Sequence, residues 1–228
     1  MRLAHPEMKM VLPLREDRAT LLAVEHPPLF RRFVEGLRAQ AQGQAGDFVL
    51  SEDWTPLPLE KHLVLVTDPF ALSFNERRQL TALYKQTGKL AYSERVYLKT
   101  AQLQSSIEEW LALLETESPY AVEYQAQLQP EALLKQADFR FLEEGDLPLR
   151  LERFLKAQAA FCGANVFAFV NLRGLLSGEE LALFYRAAEY LKLRLLMLET
   201  KLPDHLLDRE AWHLIDKDLC ELYPEDER

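Results

Sequence analysis

The feature that most constrains the fold of this chain is a strand–helix–strand pattern over residues 164–200. Residues 166–170, Val-Phe-Ala-Phe-Val, form a continuous apolar run that is typical of a strand buried on both faces of a sheet. Ser177 and Glu180 have the spacing of a capping box, which predicts that a helix begins there. A second buried strand is predicted over residues 193–198. The pattern is typical of a crossover unit in an α/β sheet.

The turn between the first strand and the helix lacks the residues of a nucleotide site. Residues 171–176, Asn-Leu-Arg-Gly-Leu-Leu, contain one glycine and no lysine followed by serine or threonine. A phosphate cradle needs several glycines so that backbone N–H groups can approach the anion. The unit therefore predicts the fold of a nucleotide hydrolase without the residues that bind the phosphates of the nucleotide.

Composition predicts a soluble globular protein. Of the 228 residues, 48% are hydrophobic, which is normal for a chain with a substantial core. No apolar run approaches the roughly 20 residues that cross a bilayer, and residues 1–13 lack the apolar stretch of a signal peptide. We therefore expect a cytoplasmic protein without membrane contact. Cys162 and Cys220 lie in apolar stretches and are expected to be buried and unreactive.

Basic and acidic residues are concentrated in different segments of the chain. The formal net charge of −9 argues by itself against a nucleic-acid partner, because binding a polyanion requires Lys and Arg. Residues 73–100, however, are rich in basic side chains, whereas residues 101–128 contain five glutamates and no Lys or Arg. The tail over residues 216–228 is also acidic. Any binding surface is therefore expected to be local.

Periodicity divides the rest of the chain into an α/β part and a helical part. Helices are predicted over residues 74–86, ending at Gly88, and over residues 91–114, where a single apolar stripe runs along the helix. These two helices are expected to form an antiparallel pair. The α/β part is expected to contain strands over residues 8–14, 20–25, 48–50, 62–68 and 213–215, a loop over residues 53–58, and helices opening at Pro27 and spanning residues 148–161.

The fold prediction is therefore α/β, with an inserted α-helical leg. Residues 1–73 and 133–228 are predicted to form a discontinuous head with a parallel sheet, which resembles a degenerate phosphate-loop nucleotide hydrolase or Rossmann-like core. Residues 74–132 are predicted to form the leg.

Candidate catalytic residues have simpler structural explanations. Asp68 and Asn171 follow buried strands, where α/β folds place functional groups, but neither has a partner lysine or a glycine-rich loop. Both are expected to cap the helices that follow. The five histidines are scattered without the spacing of a zinc site, and no serine stands in the G-x-S-x-G pattern. These residues therefore give no support to catalysis.

Four short, mostly apolar stretches carry a resemblance to a known family. They are residues 12–14 with 20–25, residues 65–68, residues 167–171 with 176–180, and residues 196–199 with 205–208. Their order and approximate spacing are similar to those of the type II-A CRISPR-associated adaptation proteins (Csn2-type), which form rings and bind DNA ends. The resemblance covers nearly the whole chain, and the helical leg is its poorest match.

The resemblance implies both an architecture and a role. Members of the family look like degenerate phosphate-loop ATPases with an α/β head and a helical leg, and they do not hydrolyse nucleotide. Four copies form a ring with a basic hole that threads linear duplex DNA, and calcium ions stabilise that ring. The family works with the CRISPR integrase complex and the RNA-guided nuclease when new spacers are captured. The implied function is non-enzymatic, sequence-independent binding of double-stranded DNA ends in spacer acquisition.

The basic segment of the leg is the predicted DNA-binding surface. Several of its cations are four or seven residues apart, so that they share a helix face and point outward together. Taken alone, such residues are more often a solvated face paired with Glu76 and Glu94. The resemblance favours phosphate contacts instead, because a binder that reads no sequence needs only these. The candidate DNA-binding residues are Arg77, Arg78, Lys85, Lys89, Arg95 and Lys99.

Acidic residues that follow the basic segment are the predicted metal ligands. Glu115, Glu117 and Glu123 lie at a helix end and in the next loop, where carboxylates can converge on a calcium ion. Their spacing is not that of a dedicated calcium-binding loop, and taken alone they are ordinary surface acids. The resemblance implies calcium ligands in this region, although acids are fewer here than in the family. A reduced or absent calcium site is therefore the alternative.

Two other functions stay open on the sequence alone. One is a diverged nucleotide-binding or hydrolysing α/β protein with an unrecognised phosphate site. The other is an interaction scaffold whose acidic tail binds a basic partner and which does not contact DNA. A tetramer that retains linear duplex but not closed circles favours the DNA-end binder, whereas stabilisation by ATP favours the nucleotide-binding protein.

Overall fold

The computed structural model describes residues 1–125, 127 and 129–224, so the last residues of the acidic tail, 225–228, lie outside the described residues. The strands are β1 (Arg2–Ala4), β2 (Leu12–Pro13), β3 (Ala19–Val24), β4 (Val49–Glu52), β5 (Thr55–Leu57), β6 (Leu63–Val66), β7 (Val166–Val170), β8 (Arg194–Glu199), β9 (Glu210–Ile215) and β10 (Glu221–Leu222). The helices are α1 (Pro27–Ala41), α2 (Leu59–His62), α3 (Arg77–Leu90), α4 (Tyr97–Glu117), α5 (Pro130–Gln136), α6 (Leu147–Cys162) and α7 (Gly178–Tyr190).

The chain separates into two compact units, which we call the head and the leg. The head comprises Met1–Phe74 with Glu143–Arg228, and the leg comprises Asn75–Leu142. The sequence-based boundary at residue 132 lies before the end of the leg in the structure. The reason is that α5, which the sequence suggests to be the return to the head, packs against α3 within the leg.

Six strands of the head form one sheet in the order β10-β9-β3-β8-β7-β6. Strands β9, β3, β8, β7 and β6 run parallel to their neighbours, whereas the edge strand β10 is antiparallel to β9. All six residues of β3 are buried, as expected of a strand covered on both faces. The α/β class with a mainly parallel sheet, predicted from the sequence, is confirmed.

The crossover unit predicted over residues 164–200 is present as β7, α7 and β8. Both hydrogen bonds of the capping box form, since Ser177 Oγ accepts from the Glu180 N–H and Glu180 Oε2 accepts from the Ser177 N–H. Helix α7 buries Leu181 and Phe184, and Phe184 packs on Phe169 of β7. The local pattern therefore predicts these three elements, while their place in the sheet also depends on the pairing of β7 with β6 and of β8 with β3.

Side chains of the central strands alternate between two packed faces of the sheet. On one face, Leu198 belongs to a core shared with α1 and the N-terminal strands. On the other, Phe167 and Phe169 pack edge-to-face on Phe154 of α6 and Phe184 of α7, with ring centres 6.3 and 5.4 Å apart. The head is thus a layered structure with its core on both sides of the sheet.

The N-terminal strands depart from the prediction. Within residues 8–14 only Leu12–Pro13 is a strand, and residues 53–58, predicted as a loop, contain β5. A second, antiparallel sheet forms in the order β2-β1-β4-β5. Asp53 and Trp54 have positive φ angles of 47° and 65°, so the chain reverses between β4 and β5. Pro56 is tolerated because β5 is an edge strand.

The prediction that both cysteines are buried is wrong for Cys220, which is exposed, while Cys162 is half-buried. Cys220 lies in the turn between β9 and β10, where its N–H donates to Asp216 Oδ1 at 2.8 Å. The apolar residues around it in the sequence do not enclose it, because this turn reverses the chain at the edge of the sheet.

The helices of the leg also differ from the prediction. Helix α3 runs through Gly88 to Leu90 instead of ending there. A Cβ at Gly88 would lie 2.6 Å from Glu131 Oε1, so this glycine permits the close approach of α5 and is not a stop signal. Residues 91–96 form turns, and α4 begins at Tyr97. Helix α3 packs mainly against α5, and not in the predicted antiparallel pair with α4.

The leg buries very little of its surface. Among its described residues only Gln79 and Gly88 are buried. The apolar stripe predicted along the second helix is present in α4, but Trp110 and Leu103 on it are 57% and 50% exposed. The stripe is therefore not a core within the leg.

Candidate nucleic-acid interface

The six predicted DNA-binding residues all have exposed side chains in the leg. Four of them lie on α3, Lys99 lies in the first turn of α4, and Arg95 lies in the turn before α4. Arg95 and Lys99 therefore do not share a helix face, which corrects the prediction, because α4 starts later than its periodicity suggests. The four residues on α3 are Arg77, Arg78, Lys85 and Lys89.

Helix α3 arranges three of its cations in a row. At 3.6 residues per turn, Arg78, Lys85 and Lys89 fall within about 40° of one another around the helix axis. The row extends about 16 Å along the axis at 1.5 Å per residue. Arg77 lies about 100° from Arg78 and faces α5 instead. The helix thus carries one basic row and one cation beside the neighbouring helix.

Within the described residues, five of the six predicted cations have no carboxylate beside their charged groups. Within the described part of the chain, no carboxylate lies within 4.0 Å of the charged groups of Arg77, Lys85, Lys89, Arg95 or Lys99. Lys99 Nζ donates to Gln102 Oε1 at 3.2 Å, which leaves its charge uncompensated. Glu76 and Glu94, the partners expected of an ordinary solvated face, form no ion pair with them. These five side chains therefore keep uncompensated positive charge.

The sequence-based prediction misses a basic residue that lies beside the cations of α3. Lys135 on α5 is exposed and lines the same groove as Arg77 and Lys85 on α3. It lies fifty residues after Lys85 in the chain, in a segment assigned by sequence to the head. The available signal is the i, i+4 spacing of Glu131 and Lys135, which places both residues on one face of a helix but does not reveal which helix lies beside that face.

The turn after β7, where a phosphate cradle would lie, is occupied by the head's own side chains. The backbone N–H of Arg173 donates to Glu199 Oε1 at 3.0 Å. The Arg173 guanidinium pairs with Glu210 at 2.9 Å, and Tyr185 Oη donates to the same carboxylate at 2.8 Å. Burial raises the pKa of the Glu199 carboxyl and, with the nearby Glu210 charge, that of Tyr185. This arrangement fastens the turn and provides no N–H cradle for an anion at Arg173.

The two polar residues after buried strands have structural roles of different kinds. Asp68 Oδ1 accepts from the Phe70 N–H at 2.9 Å and caps a short 3-10 helix, as predicted. Asn171 does not cap a helix, which corrects the prediction. Its Oδ1 accepts from the Thr200 N–H at 3.2 Å, and its φ of 52° turns the chain away from the sheet. Asn171 therefore joins the ends of β7 and β8.

Comparison with known proteins assigns the chain to a family. The model of the CRISPR-associated protein family Cas_Csn2 matches residues 40–219, which include the whole leg and most of the head. The chain belongs to this family. The resemblance inferred from the order of the four apolar stretches is confirmed. No curated protein matches the chain.

One solved structure similar to this Csn2-family chain supports the fold. The crystal structure of Stu0660 of Streptococcus thermophilus matches with a TM-score of 0.59 and 13% identity, over 100% of this chain and 78% of that chain. A putative ABC transporter ATP-binding protein from Pyrococcus furiosus matches with a TM-score of 0.41 and 6% identity, over 93% of this chain and 97% of that one. The second score is too low to establish a shared fold.

The glutamates predicted to bind calcium do not gather into a metal site among the described residues of one chain. Glu115 and Glu117 lie in the last turn of α4 and Glu123 follows it, all of them exposed. The described residues contain no group of three His, Cys, Asp or Glu side chains that could hold a metal ion. A calcium ion takes roughly six to eight oxygen ligands. These residues of a single Csn2-family chain therefore do not fit the ion.

Over the described residues, no helix of this Csn2-family chain is both long enough and apolar enough to cross a bilayer. The longest helix, α4, has 21 residues but is interrupted by charged and polar side chains.

Proposed function

We propose that this Csn2-family protein is a non-enzymatic, sequence-independent binder of double-stranded DNA ends that acts in CRISPR spacer acquisition in the cytoplasm. The observation that carries the proposal is the exposed row of Arg78, Lys85 and Lys89 on α3, together with the absence of carboxylates beside Lys85 and Lys89 among the described residues. Phosphates along a duplex are the anions that such a row fits, because they repeat along a line and are the same at every base pair.

The proposal includes assembly of four copies into a ring around the duplex. A single row of three cations gives few phosphate contacts, and four copies multiply them. The apolar surface of α4 supports assembly, since Trp110, Leu113 and Leu114 are 57%, 66% and 48% exposed. Exposed apolar side chains that lie close together are typical of protein–protein contact surfaces. The proposed partners beyond the ring are the CRISPR integrase complex and the RNA-guided nuclease.

Calcium stays a prediction within this proposal. Glu115, Glu117 and Glu123 do not gather within one chain, so a calcium ion would need oxygens from a second copy or from the main chain. Titration of calcium into metal-stripped protein, read together with the mass of the assembly, tests this directly. Binding of calcium without a change in mass would contradict a role in holding the ring together.

Charge reversal on α3 and at the start of α4 tests the DNA-binding surface. We expect that replacing Lys85, Lys89 and Lys99 by Glu abolishes retention of a blunt linear duplex at about 0.1 M salt, because each phosphate contact contributes about 0.9 to the log–log salt slope. The matched control reverses Lys156, Lys192 and Lys201, three lysines of the head. Unchanged retention by the leg variant would contradict the proposal, as would equal losses by both variants.

A further inference from the structure

A groove of about 800 Å³ runs between α3 and α5 of the leg, and basic side chains stand on both of its walls. Arg77 and Lys85 line the wall formed by α3, and Lys135 lines the wall formed by α5. Thr81 and Tyr84 lie between the two cations of α3. One acidic residue, Glu131, also lines the groove. The groove thus brings together cations from two segments that are distant in the chain.

Local sequence features fix the position of the α5 wall. Pro130 opens the helix with a backbone angle that is already helical. Glu131 then packs over Gly88 of α3, where a side chain would collide with its carboxylate at 2.6 Å. Lys135 follows Glu131 by one helical turn and therefore lies on the same face of α5. The close approach at Gly88 is what brings Lys135 to the groove.

The three cations of the groove have no acidic partner in the described residues. No carboxylate lies within 4.0 Å of the charged groups of Arg77, Lys85 or Lys135, and Glu131 forms no ion pair with them. Like charges that face one groove repel one another, and an anion bound between them removes this cost. Arg77 supplies a planar fork that suits phosphate oxygens, while Lys85 and Lys135 supply point charges.

The spacing along α3 suits more than one phosphate. Arg77 and Lys85 are separated by about 12 Å along the helix axis at 1.5 Å per residue. The phosphates of one DNA strand advance about 3.4 Å each along the duplex axis. The α3 wall therefore spans several phosphates, and Lys135 can contact the same strand from the opposite wall.

The geometry points to the α3–α5 groove as a binding site for the phosphodiester backbone of DNA, with Lys135 as a further contact residue. This inference rests on the proposed function, because it names where the bound duplex lies on the leg. Glu131 opposes phosphate binding through its negative charge and so limits the affinity of the groove. Lys135 and Glu131 are therefore expected to have opposite effects on DNA binding.

Binding of a blunt linear duplex across a salt series tests this site. Lys135→Gln is expected to weaken binding several-fold at about 0.1 M salt and to lower the log–log slope by about 0.9 for each phosphate that the protein no longer binds. Lys135→Arg, which keeps the charge, is expected to bind the duplex about as tightly as the wild type does. The control is Arg140→Gln, which removes an exposed cation of the same unit that is already paired with Asp138 at 3.5 Å.

A second experiment removes the negative charge of Glu131 from the groove. Glu131→Gln keeps the shape that packs over Gly88 and is expected to strengthen duplex binding several-fold. Glu109→Gln, at an exposed position of α4 outside the groove, is expected to leave it unchanged.

The outcomes separate this inference from the proposed function. If the wild-type protein binds linear duplex but Lys135→Gln behaves like Arg140→Gln, or Glu131→Gln does not strengthen binding, the groove is not the site and the proposed function stands. If the wild-type protein does not retain duplex at any salt concentration, the proposed function fails and the groove inference fails with it.

Discussion

The head and the leg of this Csn2-family protein differ in what they bury. In the head, Phe33, Phe167 and Phe169 are fully buried. In the leg, the described residues that are buried are Gln79 and Gly88, neither of which is a large apolar side chain. Burial of apolar surface supplies most of the free energy of folding. The head therefore has a core that can stabilise it, whereas the leg exposes apolar side chains that another molecule could bury.

The two units also differ in whether several of their basic side chains are paired with carboxylates. The head places Arg173 and Arg194 largely out of solvent and pairs each of them with carboxylates, Arg173 with Glu210 and Arg194 with Glu16 and Glu52. In the leg, Arg77, Lys85, Lys89 and Lys135 are exposed, and no carboxylate within the described residues pairs with them. Compensated charge stabilises a fold, while uncompensated surface charge is free to attract a polyanion. The contrast agrees with the proposal that the leg, and not the head, binds DNA.

The largest expected effect is the contrast between aromatic truncations in the two units. Phe169→Ala is expected to lower the free energy of unfolding by about 3–5 kcal/mol, because it opens a cavity in the core. At concentrations where the protein is monomeric, Trp110→Ala in the leg is expected to change it by less than about 0.5 kcal/mol, since the ring is 57% exposed in one chain. Urea unfolding of both variants at such concentrations measures the difference. In the monomer, a Trp110→Ala cost as large as that of Phe169→Ala would contradict the difference in burial between the two units.

The next effect concerns ion pairs. Glu210→Ala removes a carboxylate whose side chain is fully buried and leaves Arg173 and Tyr185 without their shared partner. We expect a loss of about 3 kcal/mol in the free energy of unfolding. Asp138→Asn, which removes the charge of the exposed pair with Arg140 and keeps a residue type that tolerates the φ of 51° at this position, is expected to cost less than about 0.5 kcal/mol. Equal costs, measured by urea unfolding, would contradict the difference between the two units.

The salt dependence of duplex binding sharpens the comparison of charges. Lys85→Gln and Lys89→Gln are each expected to lower the log–log salt slope by about 0.9 for each phosphate that is no longer bound. Lys156→Gln in the head is expected to leave the slope unchanged, because Lys156 already pairs with Glu152 at 2.5 Å. A titration series between low and moderate salt gives the three slopes. A head variant with the larger change would reverse the assignment of binding to the leg.

The smallest expected effect is the pH dependence that Glu199 contributes to the stability of the head. Burial raises the pKa of this carboxyl above its ordinary value of 4.5, although the Arg173 N–H and charge oppose the shift. A raised pKa in the folded state means that this contribution is present below the ordinary value and is lost as pH rises through the folded-state value. Glu199→Gln is therefore expected to be more stable than the wild type at neutral pH and to have a flatter profile. The free energy of unfolding is measured against pH for both proteins. If it changes with pH equally in the wild type and in Glu199→Gln, Glu199 is not the source of this pH dependence.

Sequence reasoning succeeds where the determining interactions are local. The capping box of Ser177 and Glu180 and the apolar run of β7 specify their elements within a few residues, and both are present. The position of the exposed cations on α3 follows for the same reason, since helix periodicity alone puts Lys85 and Lys89 on one face. These features account for the head's sheet and for most of the predicted surface.

Sequence reasoning fails where a distant segment decides the structure. Gly88 is typical of a helix end, but its role is to admit Glu131 of α5, which no local pattern reveals. Lys135 escapes the prediction because its neighbours in the groove come from α3. Asn171 has the position of a helix cap, whereas it bonds to Thr200 at the end of the adjacent strand. Each case depends on an interaction between segments that are far apart in the chain.

If other copies and duplex DNA cover the leg, as we propose, native mass measurement detects both in one experiment. The protein is measured alone, with a blunt linear duplex and with a covalently closed circle, across a salt series. We expect a tetramer that takes up the linear duplex at low salt, releases it as salt rises, and does not take up the circle. A protein that stays monomeric at working concentrations, or that binds the circle as well as the linear duplex, would contradict it.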